Sequence, residues 1–206
     1  MKALPEHGQQ TFTVVRGGRH RASPVLMNLL RDTSTPVIEY LAEKFGLRRL
    51  PGLSRSDLTG RLLRQLNEDE LKTLENDLIA ARFGTRPVEE LLEMLLRSDE
   101  QRLGRSRPRL DDMPADEATL VRGDTRRWVY TMHGHDVIVD MANRHFACSC
   151  PYFRFASHRQ ALCKHLGRAL MLMPEAYARD ILIELLVSRR YGGPETRWTY
   201  QSVRAA

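Results

Sequence analysis

Apolar residues in the first half of the chain recur at three- and four-residue spacing, which is the period of amphipathic helices. Ser23-Pro24 and Thr35-Pro36 each place an N-cap residue before a proline suited to the first helical turn. Gly46 and Gly84 follow two of these stretches, and glycine readily ends a helix. The pattern predicts five helices, near 24–31, 36–45, 54–66, 67–83 and 85–103.

The spacing changes after about residue 119. Segments 128–131 and 137–139 are β-branched and aromatic, and the turn glycine Gly134 lies between them, which indicates a β-hairpin. Helical spacing returns over about 164–173 and 175–190. The predicted fold class is therefore α+β, with a helical N-terminal domain followed by a small domain built from a hairpin and helices.

The same pattern divides the chain into segments. Residues 1–22 lack periodicity and contain several arginines, so we expect a mobile basic arm there. A helical domain follows over 23–103. Residues 104–119 are rich in Arg, Pro, Asp and Gly and are interpreted as a linker. The second domain covers 120–190, and 191–206 form a tail without a usable pattern.

Composition and charge narrow the function classes. Apolar residues make up 42% of the chain and charged residues 28%, which excludes a wholly disordered protein. No apolar stretch has the length of a membrane span, so a soluble, cytoplasmic protein is expected. The net charge is +6, carried mainly by arginine. Arginine suits phosphate binding, although GC-rich coding would give the same bias.

The charge is distributed unevenly along the chain. Residues 1–66 hold 11 basic and 5 acidic side chains, 67–100 hold 4 and 10, and 101–206 hold 17 and 11. Two basic segments therefore flank an acidic one. No acidic residue falls between Asp140 and Glu175, so all charged side chains in the region that contains the cysteines are basic.

All three cysteines lie within sixteen residues, as Cys148-Ser149-Cys150 and, after twelve residues, Cys163-Lys164-His165. Such clustering in a reducing compartment favours a metal over a disulfide. Three thiolates and one imidazole form a closed tetrahedral set for structural zinc. Cys148 and Cys150 can grip the ion from a strand end, while Cys163 and His165 can do so from the start of a helix. One structural Zn²⁺ is the predicted cofactor.

The order of these features resembles the SWIM-type zinc finger family. The matching residues are 148–153 (Cys-Ser-Cys-Pro-Tyr-Phe) and 163–166 (Cys-Lys-His-Leu), and with the preceding hairpin the resemblance covers about 120–173. It implies a zinc-stapled, non-catalytic module that binds DNA or proteins in ATPase-, transposase- and recombination-associated proteins. Tyr152 departs from the family, in which many members carry an acidic residue there, but the position is not a ligand.

Other interpretations of the cysteine segment stay open. The residues could be buried free cysteines beside a chance histidine, or a zinc-based redox switch that releases its metal on oxidation. Four further histidines are close enough in sequence to compete as ligands, but turn and loop histidines are usually solvated; they are His133, His135, His145 and His158. A catalytic zinc would need an open coordination position and a nearby base.

Two groups of residues are candidates for nucleic-acid contact. The first surrounds the zinc ligands and alternates with aromatic residues that can stack on bases or form a core; it comprises Arg144, Arg154, Arg159, Lys164 and Arg168. The second lies in 36–66, which resembles the helix, extended turn and helix of SAP-type DNA-binding motifs, although any helical hairpin would look similar. If that resemblance holds, the phosphate contacts are Arg48, Arg49, Arg55, Arg61 and Arg64.

These features predict a non-enzymatic, zinc-binding protein associated with nucleic acid, with DNA favoured over RNA, and with no membrane partner. The alternative is an adaptor whose zinc finger or acidic helices 68–103 dock a helicase, recombinase, transposase or ATPase. An enzyme ranks third, because the chain has no phosphate-binding Gly-Lys-Ser/Thr loop and no nucleophile beside His133 and Asp136.

Overall fold

The computed structural model describes residues 22–47, 53–104, 118–192 and 198–203. These ranges contain both helices and a five-stranded sheet, which confirms the α+β class. The helices are α1 (Pro24–Asp32), α2 (Thr35–Lys44), α3 (Arg55–Gln65), α4 (Glu68–Phe83), α5 (Val88–Leu103), α6 (Pro151–Ala156), α7 (Lys164–Leu172) and α8 (Glu175–Tyr191). The strands are β1 (Ala118–Gly123), β2 (Arg127–Met132), β3 (His135–Asp140), β4 (His145–Cys148) and β5 (Thr199–Ser202).

Side-chain caps start several helices where the sequence indicates them. The Ser23 hydroxyl accepts a hydrogen bond from the Leu26 amide at 2.9 Å, and Pro24 follows it in the first turn of α1. At α4 the amide of Glu70 donates to Asn67 at 2.9 Å, and the amide of Asn67 donates to the Glu70 carboxylate at 2.8 Å. These two bonds form a capping box, which the sequence predicts from an Asn followed three positions later by a Glu.

The described residues form two compact units, which divide within α4 between Leu74 and Glu75. The first unit holds residues 34–74 of the described ranges. In it α2 packs against α3, with Ile38 and Leu62 buried. Gly46 ends α2 with a positive φ of 71°, as expected for a helix terminus. The SAP-like pattern places helices at these two positions, while its turn residues Arg48 and Arg49 lie outside the described residues.

The second unit holds Ser23–Thr33 and the described residues from Glu75 onward. Its helical core forms where α8 packs against both α5 and α1. The buried positions of α5 include the leucine stripe that the sequence indicates: Leu91, Leu92, Leu95 and Leu96. This unit therefore combines α5 with the sheet, whereas the sequence assigned them to two domains separated by 104–119. The apolar period shows that α5 has a face to bury but not which helix covers it.

The sheet has the order β1-β2-β3-β4-β5, with antiparallel pairs throughout except for the parallel pair of β4 and β5. The predicted hairpin is confirmed as β2 and β3, which pair Trp128 with Val139. Its two-residue turn consists of His133 and Gly134, both with positive φ, as a type I′ turn requires. One face of the sheet is buried, and α7 packs on β3 and β4.

Two strands lie in segments that the sequence left without regular structure. β1 begins at Ala118, inside the stretch interpreted as a linker, and β5 lies in the 191–206 tail. Trp198 precedes β5 and stacks on Phe146 of β4, with ring centroids 4.3 Å apart. A strand of four residues has too few positions to show alternation, and its parallel partner is more than 50 residues away in the chain.

Among the described residues, no helix combines the length and the apolarity that crossing a bilayer requires.

Candidate metal centre

Three elements bring the four predicted ligands together. Cys148 is the last residue of β4, and Cys150 is the N-cap of α6. Cys163 is the N-cap of α7, which places His165 in the first turn of that helix. Pro151 occupies the first position of α6, where a backbone N–H would have no partner within the helix, so proline costs no hydrogen bond there. The chain therefore leaves the strand and turns directly after Cys150.

The ligand atoms of these four residues all lie within 4.8 Å of one another, and all four residues are buried. The Sγ atom of Cys148 lies 3.9 Å from Nδ1 of His165. Tetrahedral zinc with ordinary Zn–S and Zn–N bonds would separate its ligand atoms by about 3.5–3.8 Å. The cluster therefore has the donor set and nearly the spacing of a closed four-coordinate site, and it can hold one metal ion.

Backbone amides point at all three sulfur atoms. The amide of Cys150 donates to Cys148 Sγ at 3.4 Å, and that of Phe153 donates to Cys150 Sγ at 3.3 Å. The amide of Leu166 donates to Cys163 Sγ at 3.5 Å. Such donors stabilise negative charge on sulfur and fix the direction of each side chain. The peptide around the cluster is thus arranged for thiolates.

Electrostatics within the cluster favours a cation at its centre. Burial raises the pKa of Cys163 well above its usual range, and the neighbouring thiols raise it further. The hydrogen bond with Cys150 raises the pKa of Cys148 to about 12, while the bonds from Cys148 and Cys163 lower the pKa of Cys150. All three can ionise together only when a cation offsets their repulsion.

The cysteines form no disulfide, and the histidine faces them. The 3.9 Å approach of Nδ1 to sulfur fits shared metal coordination as well as a thiol–imidazole hydrogen bond. Within the described ranges, no second group of three or more possible ligands lies close enough together to hold a metal. All four predicted residues therefore converge in one place, where they could hold one metal ion.

The other histidines divide into two kinds. His133 and His135, on the hairpin turn, approach the ring of His165 with centroid distances of 6.2 Å and 4.9 Å. His145 lies elsewhere, with Nδ1 2.9 Å from the Thr199 hydroxyl, and His158 is exposed. The hairpin histidines therefore border the cluster without belonging to the group of four close donors, and the pairing of β3 with β4 sets their proximity.

The predicted basic contacts around the cluster differ in how much charge they offer. Arg144 forms an ion pair with Glu184 of α8 at 2.6 Å, so its charge is partly neutralised. Arg154 and Arg159 are exposed, and Lys164 is half-buried. Arg168 is also half-buried, and its Nε atom is buried without a hydrogen-bond partner among the described residues. Arg154 and Arg159 are thus exposed, as is Arg144, but lie outside its ion pair with Glu184.

In the first compact unit, α3 carries the remaining predicted contacts. Arg55 and Arg64 are exposed at its two ends, and Arg61 is half-buried between them. Exposure at 3.6-residue spacing is also what any surface helix shows, so these positions alone do not distinguish a DNA contact from a solvated face.

A buried ion pair supports the loop before Cys163 and was not indicated by the sequence. Asp99 of α5 is only 5% exposed, and its carboxylate receives Arg189 of α8 at 2.6 Å. The second guanidinium nitrogen of Arg189 donates to the Gln160 carbonyl and, at 2.8 Å, to the Tyr200 hydroxyl. Arg102 also binds Asp99, at 3.1 Å, and donates to the Arg159 carbonyl at 2.7 Å.

This network fixes a strained point of the backbone. Gln160 adopts a left-handed conformation with φ of 52°, which is costly for a residue other than glycine. Its carbonyl is held by Arg189, and its amide donates to the Ser157 carbonyl at 3.0 Å. The loop therefore enters α7 on a fixed path, which places Cys163 opposite Cys148 and Cys150.

Comparisons of the chain with family models, curated proteins and solved structures gave no match.

Proposed function

We propose that Cys148, Cys150, Cys163 and His165 hold one structural zinc ion, which staples a SWIM-type zinc finger over about 120–173. The observation that carries the proposal is the convergence of these four donor atoms within 4.8 Å in a buried position. The element order supports it, because a hairpin, Cys-x-Cys-Pro, Cys-Lys-His and a helix follow one another as the resemblance implies. Zinc is the metal that most often occupies such a sulfur and nitrogen set.

The role of the ion is structural and the protein is not an enzyme. Four protein ligands complete a tetrahedral shell and leave no position for a water or a substrate. The segment 141–174, which carries all four ligands, also contributes no carboxylate that could act as a general base. The metal would join β4, α6 and α7, in addition to the packing of α7 on β4.

The function served by this finger is DNA binding through the basic surface around the cluster. Five cationic residues and no anionic ones lie in 141–174, while three thiolates and Zn²⁺ add a net charge of only −1. Arg154 and Arg159 extend this charge into solvent. Phosphates that bind there would release counterions, which gives affinity without base recognition.

Replacing Arg154 and Arg159 together with alanine is expected to weaken DNA binding. Each lost phosphate contact removes nearly one unit from the slope of log affinity against log salt, so the slope falls by about 2. Arg168 is not replaced in this variant. Its Nε is buried, so its replacement would disturb packing as well as remove a charge. Fluorescence anisotropy with labelled DNA over a salt series measures both quantities.

The matched control is the double replacement of Arg86 and Arg97 with alanine. It removes the same charge from α5 and the turn before it, where Arg86 pairs with Glu90 and Arg97 pairs with Glu93. We expect this control to leave the salt slope within experimental error of the original protein. If both double variants behave alike and retain their metal, the basic surface does not bind phosphate, and docking of a protein partner becomes the better account.

A further inference from the structure

The aromatic residues around the metal cluster divide into a buried and an exposed group. Phe146 and Phe153 are fully buried and contribute to the core. Phe155 is 69% exposed, the largest value among the large apolar side chains of the described residues, and Tyr152 is 46% exposed. Packing of the finger therefore accounts for the first group and leaves the second at the surface.

The exposed rings recur every three residues. Tyr152 and Phe155 belong to α6, and the exposed His158 lies in the 3-10 turn formed by Ser157–Arg159 directly after it. Residues three apart lie near one another on a helix surface, with an axial step of about 4.5 Å in an α-helix and about 6 Å in a 3-10 helix. The three rings thus form a short row along one side of this segment.

The row is held by the surrounding structure rather than by its own helix. Phe153 packs α6 against the core, since its side chain is fully buried and its ring centroid lies 6.4 Å from that of Tyr200. Cys150 caps the start of α6, and at the other end Arg102 and Arg189 bind the carbonyls of Arg159 and Gln160. A surface fixed at both ends loses little conformational entropy when a ligand covers it.

The charges beside the row identify the class of ligand. Arg154 and Arg159 are exposed within 151–159, the segment formed by α6 and the 3-10 turn. The nearest acidic residues in sequence are Asp140 and Glu175. Aromatic faces interleaved with cations, in a stretch of sequence without carboxylates, suit a chain of bases and phosphates. A purely apolar partner would leave the two arginines without compensation.

We propose that Tyr152, Phe155 and His158 stack on the unpaired bases of single-stranded DNA, while Arg154 and Arg159 contact its phosphates. The inference rests on the proposed DNA-binding function and adds the form of DNA. Bases in a duplex are already stacked on one another, so only a single strand can use the aromatic row. The protein therefore binds single-stranded DNA more tightly than duplex DNA at equal salt.

The test compares Phe155→Ala with the original protein on a 15-nucleotide oligo-dT and on a duplex of equal length. Loss of one stacked base is expected to weaken single-strand binding by roughly 10-fold. Duplex affinity and the salt slope stay unchanged, because no charge is removed. Phe155→Trp retains the affinity. Tyr40→Ala is the matched control, since this 66% exposed aromatic lies on α2 of the first unit.

Each outcome decides between the two proposals. If Phe155→Ala binds both DNA forms as the original does, while the Arg154 and Arg159 double variant loses salt dependence, the stacking inference is wrong and phosphate binding stands. If the original protein binds neither form, both are wrong. If Phe155→Ala instead changes the sedimentation coefficient, the aromatic row covers a second copy of the chain, which also overturns the inference. Zinc content checks that every variant is folded.

Discussion

Cys163→Ser is expected to abolish stable metal binding and to unfold the segment from β4 to α7. The serine keeps the shape of the side chain but is a poor zinc ligand, and it leaves two thiols and an imidazole buried without a cation. Apparent binding free energies of structural zinc sites are about 10–16 kcal/mol, which is comparable with the whole stability of a domain. Amide hydrogen exchange should show loss of protection over 145–170.

Residues of the first compact unit provide the internal reference for that experiment, because α2 and α3 form their own contacts and are expected to keep their exchange rates. Two histidine variants, one at a predicted ligand and one at an exposed position nearby, serve as test and control. His165→Ala should reproduce the effect of Cys163→Ser, whereas His158→Ala should not, since His158 lies in the same region but is exposed. Unchanged exchange in both ligand variants would mean that metal does not stabilise this segment.

Asp99→Asn is expected to destabilise the second unit by about 3–5 kcal/mol, which is the usual cost of removing one partner of a buried ion pair. The amide keeps the size of the side chain but leaves the buried guanidinium of Arg189 without its counter-charge. Arg189 also holds the Gln160 carbonyl, so the loop before Cys163 should loosen as well. Urea unfolding at neutral pH measures the free energy of unfolding.

Glu93→Gln is the control on the same helix. It breaks the exposed pair with Arg97, for which the expected cost is only about 0.3–0.5 kcal/mol. A second variant, Asp99→Leu with Arg189→Met, replaces both charges by apolar groups and should recover part of the lost stability, because the Gln160 carbonyl and the Tyr200 hydroxyl still lose their donor. Equal effects of Asp99→Asn and Glu93→Gln would show that the Asp99 pair is not buried in solution.

The predictable parts of the fold are those formed by residues that lie close together in the sequence. The caps at Ser23 and Asn67, the hairpin turn at Gly134 and the two ligand pairs each need only a few consecutive residues. The first ligand pair required one further step, because Cys148 and Cys150 come together only if a strand ends there, and β4 does end at Cys148. Chemistry that is local in sequence could be assigned before the structure.

The parts that were not predictable depend on residues far apart. Asp99 and Arg189 are 90 positions apart, and each alone is an ordinary charged residue of a helix. β5 has four residues and reaches β4 only through a parallel pairing. Similarly, the sequence of α6 does not tell which of its aromatic rings faces the core, because Tyr152, Phe153 and Phe155 differ by burial and not by type.

Burial of the sulfur atoms bears on the redox alternative. Cys148, Cys150 and Cys163 are each at most 2% exposed, so an oxidant reaches them only after local opening. Reactive sensor cysteines are usually accessible thiolates. The structure therefore favours a metal that stabilises the fold over one that is released readily by oxidation.

The metal content of the purified protein tests the central claim most directly. Elemental analysis of protein prepared under reducing conditions without chelators should find about one zinc ion per chain, because the four donors form a complete set. Cys163→Ser prepared alongside should contain almost none. Absence of zinc from the original protein, together with failure to take up zinc when it is added, would contradict the account.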